Sequence, residues 1–463
     1  MPLERIFTLE DQRAFAQLSG DANPLHLDPV AARRTPFGAT VVHGVHAALW
    51  ILDAVCEARA RPLALFSLRV VWRQPIRVGE PVRLTLAGGE GSIRASGEVD
   101  GRRVLALIAT LASASAPARP TAELPAAAAA LACRDLSFAE AAACEGALPL
   151  ALDPEALAAL LPAAARWLDP VQTAELLAAT AVVGMVCPGL RSTFVELNLH
   201  AAAEAGPLAL RYRVARAEPR YAAIQLAVDG PTLAGVAKTL YRPPPQVQAD
   251  LPALAPLVVP GEFAGQRALV VGGSRGLGEV TVKLLAAGGA DVVLTYHQGE
   301  ADARRVAAEI GSRAIAFDCT APPADLGFLP THLYYFATPP ITVGDLHAFS
   351  GAAFTRYCRY YVDGFAHSAR AAHAAAGGPL EVFYPSTVYL DEPRPGMAEY
   401  CAAKAAGETL ARHLEAMLPR TRCHCPRLPR LRTDQTLGFL GERAPEPQQV
   451  ILSALRRMLR PDV

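Results

Sequence analysis

The run "RALVVGGSRGLGEVTVKLLAAGGADVVLTY" constrains the fold more than any other stretch of this sequence. Apolar residues of strand character lead into a glycine turn. A helical stretch follows, and "DVVLTY" returns to strand character. A strand, a tight turn, a helix and a second strand form a β-α-β unit with parallel strands. Gly272, Gly276 and Gly278 follow the spacing G-x-x-x-G-x-G, with Ser274 and Arg275 inside the turn. Glycines so placed let the backbone approach a pyrophosphate at a helix N-terminus. Residues 261–463 are therefore expected to form an α/β, Rossmann-type, doubly wound parallel sheet.

Two stretches punctuate the rest. "ASASAPARPTAELPAAAAA" (112–130) and "RPPPQVQADLPALAPLVVPGEF" (242–263) read as linkers, because consecutive prolines favour extended backbone. They cut the chain into segments 1–115, 130–243 and 261–463, which suits its 463 residues. A formal net charge of zero gives no case for a nucleic-acid partner. No apolar run of about eighteen residues lacks breaks and charges, so no membrane span is expected. The start, "MPLERIFTLEDQR", has acids and no apolar core, and does not read as a signal peptide. Nine cysteines without paired spacing suit free thiols in a reducing, cytoplasmic compartment. "CHC" at 423–425 lacks further clustered ligands, and no metal site is expected.

In the first segment, "LSGDANPLHLD" (18–28) places Asp21 and His26 in a stretch rich in turn residues. Gly20 and Pro24 oppose a regular helix, so an irregular loop is expected to carry the pair. From His43 to Ala60, Val45, Leu49, Leu52, Val55 and Cys56 recur at helical spacing. Strand-like runs follow, suggesting a sheet wrapped around one helix. "FAQLSGDANPLHLDPVAA", "FGATVVHG" and "RQPIRVGEPV", in that order, resemble the MaoC-type (R)-specific enoyl-thioester hydratases of the hotdog fold. The resemblance implies catalytic roles for Asp21 and His26. A carboxylate and an imidazole on one loop can hold a water and move its proton. Gly44, near the helix start, is expected to offer a backbone N–H to the thioester oxygen. His43 and His46 are expected to be structural. Arg69, Arg73 and Arg77 are read as a solvated strand face.

The second segment lacks this motif. "PVQTAELLAATAVVGMVCPGLRSTFVELNLHAAA" reads as a helix and then a strand, followed by alternating strand patterns. That order repeats the first segment, so a second, catalytically empty hotdog is expected. An α+β double hotdog is the implied fold of this half, the empty member supporting the active one and lining the acyl tunnel. Larger hydratases of that type typically carry the catalytic loop in their C-terminal half. Here it lies in the N-terminal half.

In the third segment, "YPSTVYLDEPRPGMAEYCAAK" supplies Tyr400 and Lys404 on one helix face. This pair, the glycine turn and a preceding hydroxyl resemble the short-chain dehydrogenase/reductase family. The resemblance implies that Tyr400 protonates a carbonyl receiving hydride. Lys404 would lower the phenol pKa and contact the cofactor ribose. Ser386, fourteen residues before Tyr400, is preferred over Thr387, at thirteen, as the polarising hydroxyl. "VVLTYHQG" offers no acid for a ribose 2′-hydroxyl, and Arg275 offers a cation for a 2′-phosphate, which favours NADP(H) over NAD(H). Asp318 is expected at the adenine and Thr433 at the carboxamide. Departures from the family are Val271 before the first glycine, "YFAT" at 335–338, and Tyr361 where a helix asparagine is usual.

The two chemistries are adjacent. Reduction of a 3-oxoacyl thioester gives the 3-hydroxyacyl thioester whose dehydration gives the enoyl thioester. The leading expectation is one bifunctional polypeptide acting on acyl-CoA or acyl-carrier-protein thioesters, in fatty-acid or polyketide-type metabolism. The rivals are a hydratase with a vestigial reductase domain and a non-catalytic acyl-binding scaffold. Reductases of this fold often pair through helices, so a homodimer is expected.

Overall fold

Alternation of buried with half-buried or exposed side chains along Ser92–Val99 and Ala223–Asp229 is what a sheet with one covered face requires. The computed structural model describes residues 3–112, 124–126, 130–203, 206–321, 326–438 and 444–459. Most of the stretch 112–130 read as a linker lies outside the described residues. Two compact units divide at Pro244 and Pro245.

The first unit is built on one ten-stranded antiparallel sheet. Its spatial order is Leu3–Ile6, Pro81–Ala87, Ser92–Val99, Arg102–Leu111, Leu65–Trp72, Ser192–Ala201, Leu233–Tyr241, Ala223–Asp229, Ala209–Glu218 and Glu145–Pro149. The first five come from the first segment and the last five from the second. They join where Leu65–Trp72 pairs with Ser192–Ala201, Ser67 opposite His200 and Val71 opposite Glu196. Each half contributes one deeply buried helix, Gly44–Arg59 and Pro170–Ala181. Both bury residues nearly all round, which is why their sequences are alanine-rich and weakly amphipathic. Side chains of both halves share one hydrophobic core. Truncating a fully buried member such as Leu49 to alanine costs about 2–5 kcal/mol.

The Asp21–His26 stretch is more regular than expected. Gly20 ends the helix Leu9–Ser19 with φ of 76°, a conformation glycine adopts without steric cost. Asn23 then caps a one-turn helix, Pro24–Leu27, by accepting the Leu25 N–H. Pro24 is the first helical residue, where its missing N–H has no intrahelical partner to lose. His26 is therefore helical, and only Asp21 lies on irregular backbone.

The second unit holds a six-stranded parallel sheet in the order Ala314–Ala316, Asp291–Tyr296, Arg267–Val271, His332–Tyr335, Leu380–Phe383 and Thr421–His424. In chain order these are strands three, two, one, four, five and six, the doubly wound arrangement expected. Ligands of such sheets sit beyond the carboxyl ends of the strands, where the order reverses between strands one and four. The stretch 242–263 is only partly a linker. Leu251–Leu254 is helical, and Leu254, Val258 and Phe263 are buried in this unit's core.

Candidate active sites

Asp21 is buried, with its carboxylate held on both oxygens. Oδ1 accepts the Asn23 N–H at 3.3 Å, and Oδ2 accepts the Thr180 hydroxyl at 2.7 Å. His26 Nδ1 lies 2.7 Å from the Val41 carbonyl oxygen. A carbonyl only accepts, so Nδ1 carries the ring hydrogen and Nε2 is left as the acceptor. The His43 ring stacks on His26 at 3.8 Å, with its Nε2 2.9 Å from the Asp21 carbonyl oxygen. Its Nδ1 faces Gln12 Oε1 at 3.0 Å, and that oxygen also accepts the His43 N–H. His43, read as structural, thus orients the two catalytic candidates. His46 packs on Phe15, 4.7 Å between ring centres.

Burial sets the electrostatics. It raises the Asp21 carboxyl above its usual range, against the nearby His26 and the Thr180 and Asn23 hydrogen bonds. Burial also pushes His26 down to about 3, reinforced by His43. The imidazole is therefore neutral at physiological pH. The ligand atoms of Asp21, His26 and His43 lie within 4.8 Å of one another. Both nitrogens of His43 and Nδ1 of His26 already face oxygen partners, so the donor set is poor for a metal.

Gly44 opens the buried helix, as expected. Its glycine identity has an extra cause: the Trp72 indole donates to the Gly44 carbonyl at 2.9 Å, and a Cβ on Gly44 would lie 2.8 Å from that ring. The arginines do not share a solvated strand face: Arg69, on Leu65–Trp72, pairs with Glu196, whereas Arg73 and Arg77 lie beyond that strand and Arg77 pairs with Glu80.

The second half of the unit reaches into this site. Besides Thr180, the Gly184 and Gly189 carbonyls accept from Asn23 Nδ2 at 2.8 and 3.2 Å. A side chain at Gly184 would collide with the Asp21 carboxylate. A small apolar cavity of about 10 Å³, room for no more than a water, is lined by Ser19 and by Ala174, Leu177, Ala178 and Ala181 of the second buried helix. Sequence reasoning missed Thr180, Gly184 and Gln12. Their motif-free surroundings carried no signal.

In the second unit, Gly272 and Gly276 have φ of 79° and 57°, and a Cβ on Gly278 would strike the Gly272 carbonyl. The helix Gly276–Ala287 has no side-chain cap, and Ser274 is buried in the turn. Thr433 lies against this turn, its methyl 3.7 Å from where a Gly276 Cβ would be. Arg275 is paired with the Asp434 carboxylate at 3.5 Å. The cation expected for a 2′-phosphate is thus shared with an acid. Asp318 accepts two hydrogen bonds from Thr320 at 2.8 Å each and lies 3.9 Å from His297.

Tyr400 and Lys404 lie on one helix, Ala398–Met417, and both are buried. Lys404 Nζ donates to the Pro385 carbonyl at 2.7 Å and sits 4.0 and 4.7 Å from the ring centres of Tyr361 and Tyr384. Burial lowers Lys404 to about 7, against Cys425 and Glu408. Burial raises the Tyr400 phenol, and the strongest opposing group is the Thr387 hydroxyl rather than Lys404. Ser386, preferred on sequence, is differently placed: its buried Oγ lies toward Glu408 and helps hold that carboxyl low. The geometry brings Thr387, thirteen residues before the tyrosine, to the phenol. Tyr361, on a one-turn π-helical stretch Arg359–Gly364, stands edge-on to Tyr400 at 5.7 Å, and its hydroxyl pairs with Thr338 at 2.5 Å.

Comparison with known proteins agrees with this division. Residues 2–103 match the family described as MaoC like domain, and residues 266–326 match short chain dehydrogenase. A 3-hydroxybutyryl-CoA dehydratase of Methylorubrum extorquens is 34% identical over 90 residues, covering 19% of this chain and 57% of that protein. A mitochondrial 3-hydroxyacyl-[acyl-carrier-protein] dehydratase of Arabidopsis thaliana is 32% identical over 78 residues, covering 17% of this chain and 46% of its own. The chain therefore spans about half the length of these two relatives. A short chain dehydrogenase of Burkholderia cenocepacia, solved in complex with NADP, is 25% identical, with a TM-score of 0.37 over 43% of this chain and 92% of that one. The chain thus joins, in its first unit, a stretch matching a MaoC like domain to a stretch matching a short chain dehydrogenase in its second.

Proposed function

We propose that the chain is a bifunctional enzyme, an (R)-3-hydroxyacyl-thioester dehydratase/enoyl hydratase and a 3-oxoacyl-thioester reductase. We read the first unit as a double hotdog of segments 1–115 and 130–243, followed by the reductase domain 261–463. The observation that carries the reading is the buried Asp21 beside a neutral His26 whose Nε2 is left as an acceptor. In hydration, His26 Nε2 accepts one hydrogen of a bound water and orients it. The Asp21 carboxylate takes the other proton as the water oxygen bonds to C3, and returns it to C2. Water is thereby added with no net change in the protein, and dehydration is the reverse. The Gly44 N–H, at the start of a buried helix, is placed to stabilise charge on the thioester oxygen.

In the second unit, the left-handed glycine turn and uncapped helix fit a dinucleotide pyrophosphate. A bound nicotinamide cofactor would supply the hydride. Tyr400 would give its proton to the carbonyl oxygen, and Thr387 would hold that oxygen in place. Arg275 supports NADP(H) over NAD(H) to the extent that Asp434 releases it. Coenzyme A and carrier protein would serve equally as the thiol carrier.

One observation favours a second reading. Lys404 is covered by Tyr361 and Tyr384, as a hydratase with a vestigial reductase domain would permit. Replacing Tyr400 with phenylalanine decides between them. Loss of ketone reduction supports the bifunctional reading. Absence of reduction in the unaltered protein supports the second.

A further inference from the structure

The helix Pro170–Ala181 contains two buried threonines, and they behave differently. Thr173 follows the usual habit of a helical threonine: its hydroxyl donates to the carbonyl four residues back, Asp169, at 2.9 Å. Thr180 does not. Its hydroxyl leaves its own helix and donates to Asp21 Oδ2, 159 positions away, at 2.7 Å. That is a short, charge-assisted bond in a buried site. The same part of the second segment gives way around Asp21 and grips its loop. Gly184 has no side chain where the carboxylate lies, and the Gly184 and Gly189 carbonyls receive the Asn23 amide.

We infer that Thr180 is a positioning residue for hydration: the motif-free half of the first unit supplies the hydrogen bond that fixes the Asp21 carboxylate toward the water. This rests on the hydratase reading above. The bond does two things. It selects one carboxylate orientation, leaving the proton-accepting lone pair aimed at the site. It also stabilises the ionised form against burial. The other titratable groups facing the Asp21–His26 pair are His43, Cys133 and Arg242, and none of them donates to Oδ2.

The test compares Thr180→Val, which keeps the shape and removes the donor, with Thr180→Ser, which keeps the donor. The substrate is a short trans-2-enoyl thioester and the protein is the full chain. Thr180→Val is expected to lower kcat by about 10- to 100-fold, the loss of one hydrogen bond to a charged group, with KM within about threefold. The acid limb of its pH–rate profile is expected to move to higher pH. Thr180→Ser is expected to recover most of kcat and the original limb. An unchanged kcat and acid limb in Thr180→Val would overturn the inference. So would equal losses in both variants accompanied by an equal drop in melting temperature, which would mark packing as the cause. A second measurement needs no turnover: carboxyl carbon NMR of aspartate-labelled protein, with the Asp21 signal assigned by its absence in Asp21→Asn. The Asp21 titration should rise in Thr180→Val and not in Thr180→Ser. If the unaltered protein does not hydrate the thioester while this titration shifts, the hydratase reading fails and the hydrogen bond stands. If hydration is present and the titration is unmoved, the inference about Thr180 fails alone.

Discussion

The two sites use acid–base pairs of similar spacing, Asp21 with His26 and Tyr400 with Lys404, yet their surroundings differ in kind. Around Asp21 and His26, Thr180, Asn23, His43 and Val41 fix both groups, and His26 Nε2 and the remaining Asp21 lone pairs are left to a substrate. Around Lys404, the Pro385 carbonyl takes a hydrogen and two tyrosine rings cover the ammonium. The Tyr400 phenol has the rings of Tyr357 and Tyr361 against it, and the Thr387 hydroxyl acts on it. A motif fixes which groups are near one another along a helix or turn. Whether a lone pair or a proton is offered to a substrate depends on residues far away in sequence.

That contrast is breakable. The largest effect should come from Asp21→Asn or His26→Ala, each expected to lower enoyl hydration by about 10²- to 10⁴-fold while leaving ketone reduction intact, as steady-state assays of both reactions would register. Loss of less than threefold would remove the pair from catalysis. At the second site, Thr387→Ala should lower ketone reduction by about tenfold or more, and Ser386→Ala by less than threefold. The reverse ranking would restore the serine preferred on spacing.

The pH profiles should then separate the sites. Because His26 is held near 3, it stays neutral from pH 6 to 9, and hydration should be flat there. Lys404, held near 7, is charged below that pH and neutral above it. Reduction that needs the ammonium should therefore fall as pH rises through about 7, and parallel profiles for the two reactions would contradict this. The smallest effect expected is from Tyr361→Asn. Uncovering Lys404 should strengthen nucleotide binding by roughly threefold to tenfold, the scale of one exposed-to-buried cation–π contact, as read by calorimetry with NADPH. Unchanged or weaker binding would mean that the tyrosine ring does not obstruct the cofactor.

Much of this was legible in the sequence because it is local. The glycine turn, the parallel sheet, the buried helix near 44–59 and the pairs Asp21–His26 and Tyr400–Lys404 are set by spacing and periodicity within short windows. Boundaries and partners were less so. Pro24 reads as a helix breaker until its place as first residue of a turn is known. Ser386 and Thr387 are neighbours on an extended segment whose side chains face opposite ways, so a one-residue difference in spacing changes which hydroxyl faces the tyrosine. Thr180 was illegible for a deeper reason. Its hydroxyl would ordinarily close on its own helix, and only the pairing of Leu65–Trp72 with Ser192–Ala201 brings the two halves into one sheet. Nor does a glycine turn disclose that Asp434 pairs with the arginine inside it.

The measurement that tests the central claim most directly is a single reaction. The purified chain is given a short 3-oxoacyl thioester and NADPH, absorbance of the nicotinamide is followed, and the products are identified by mass. The account predicts NADPH consumption and an enoyl thioester one oxygen atom lighter than the starting thioester: the ketone gains two hydrogens, then loses water. No NADPH consumption, with added enoyl thioester still hydrated, would contradict it and leave the Asp21–His26 site as the working half of the molecule.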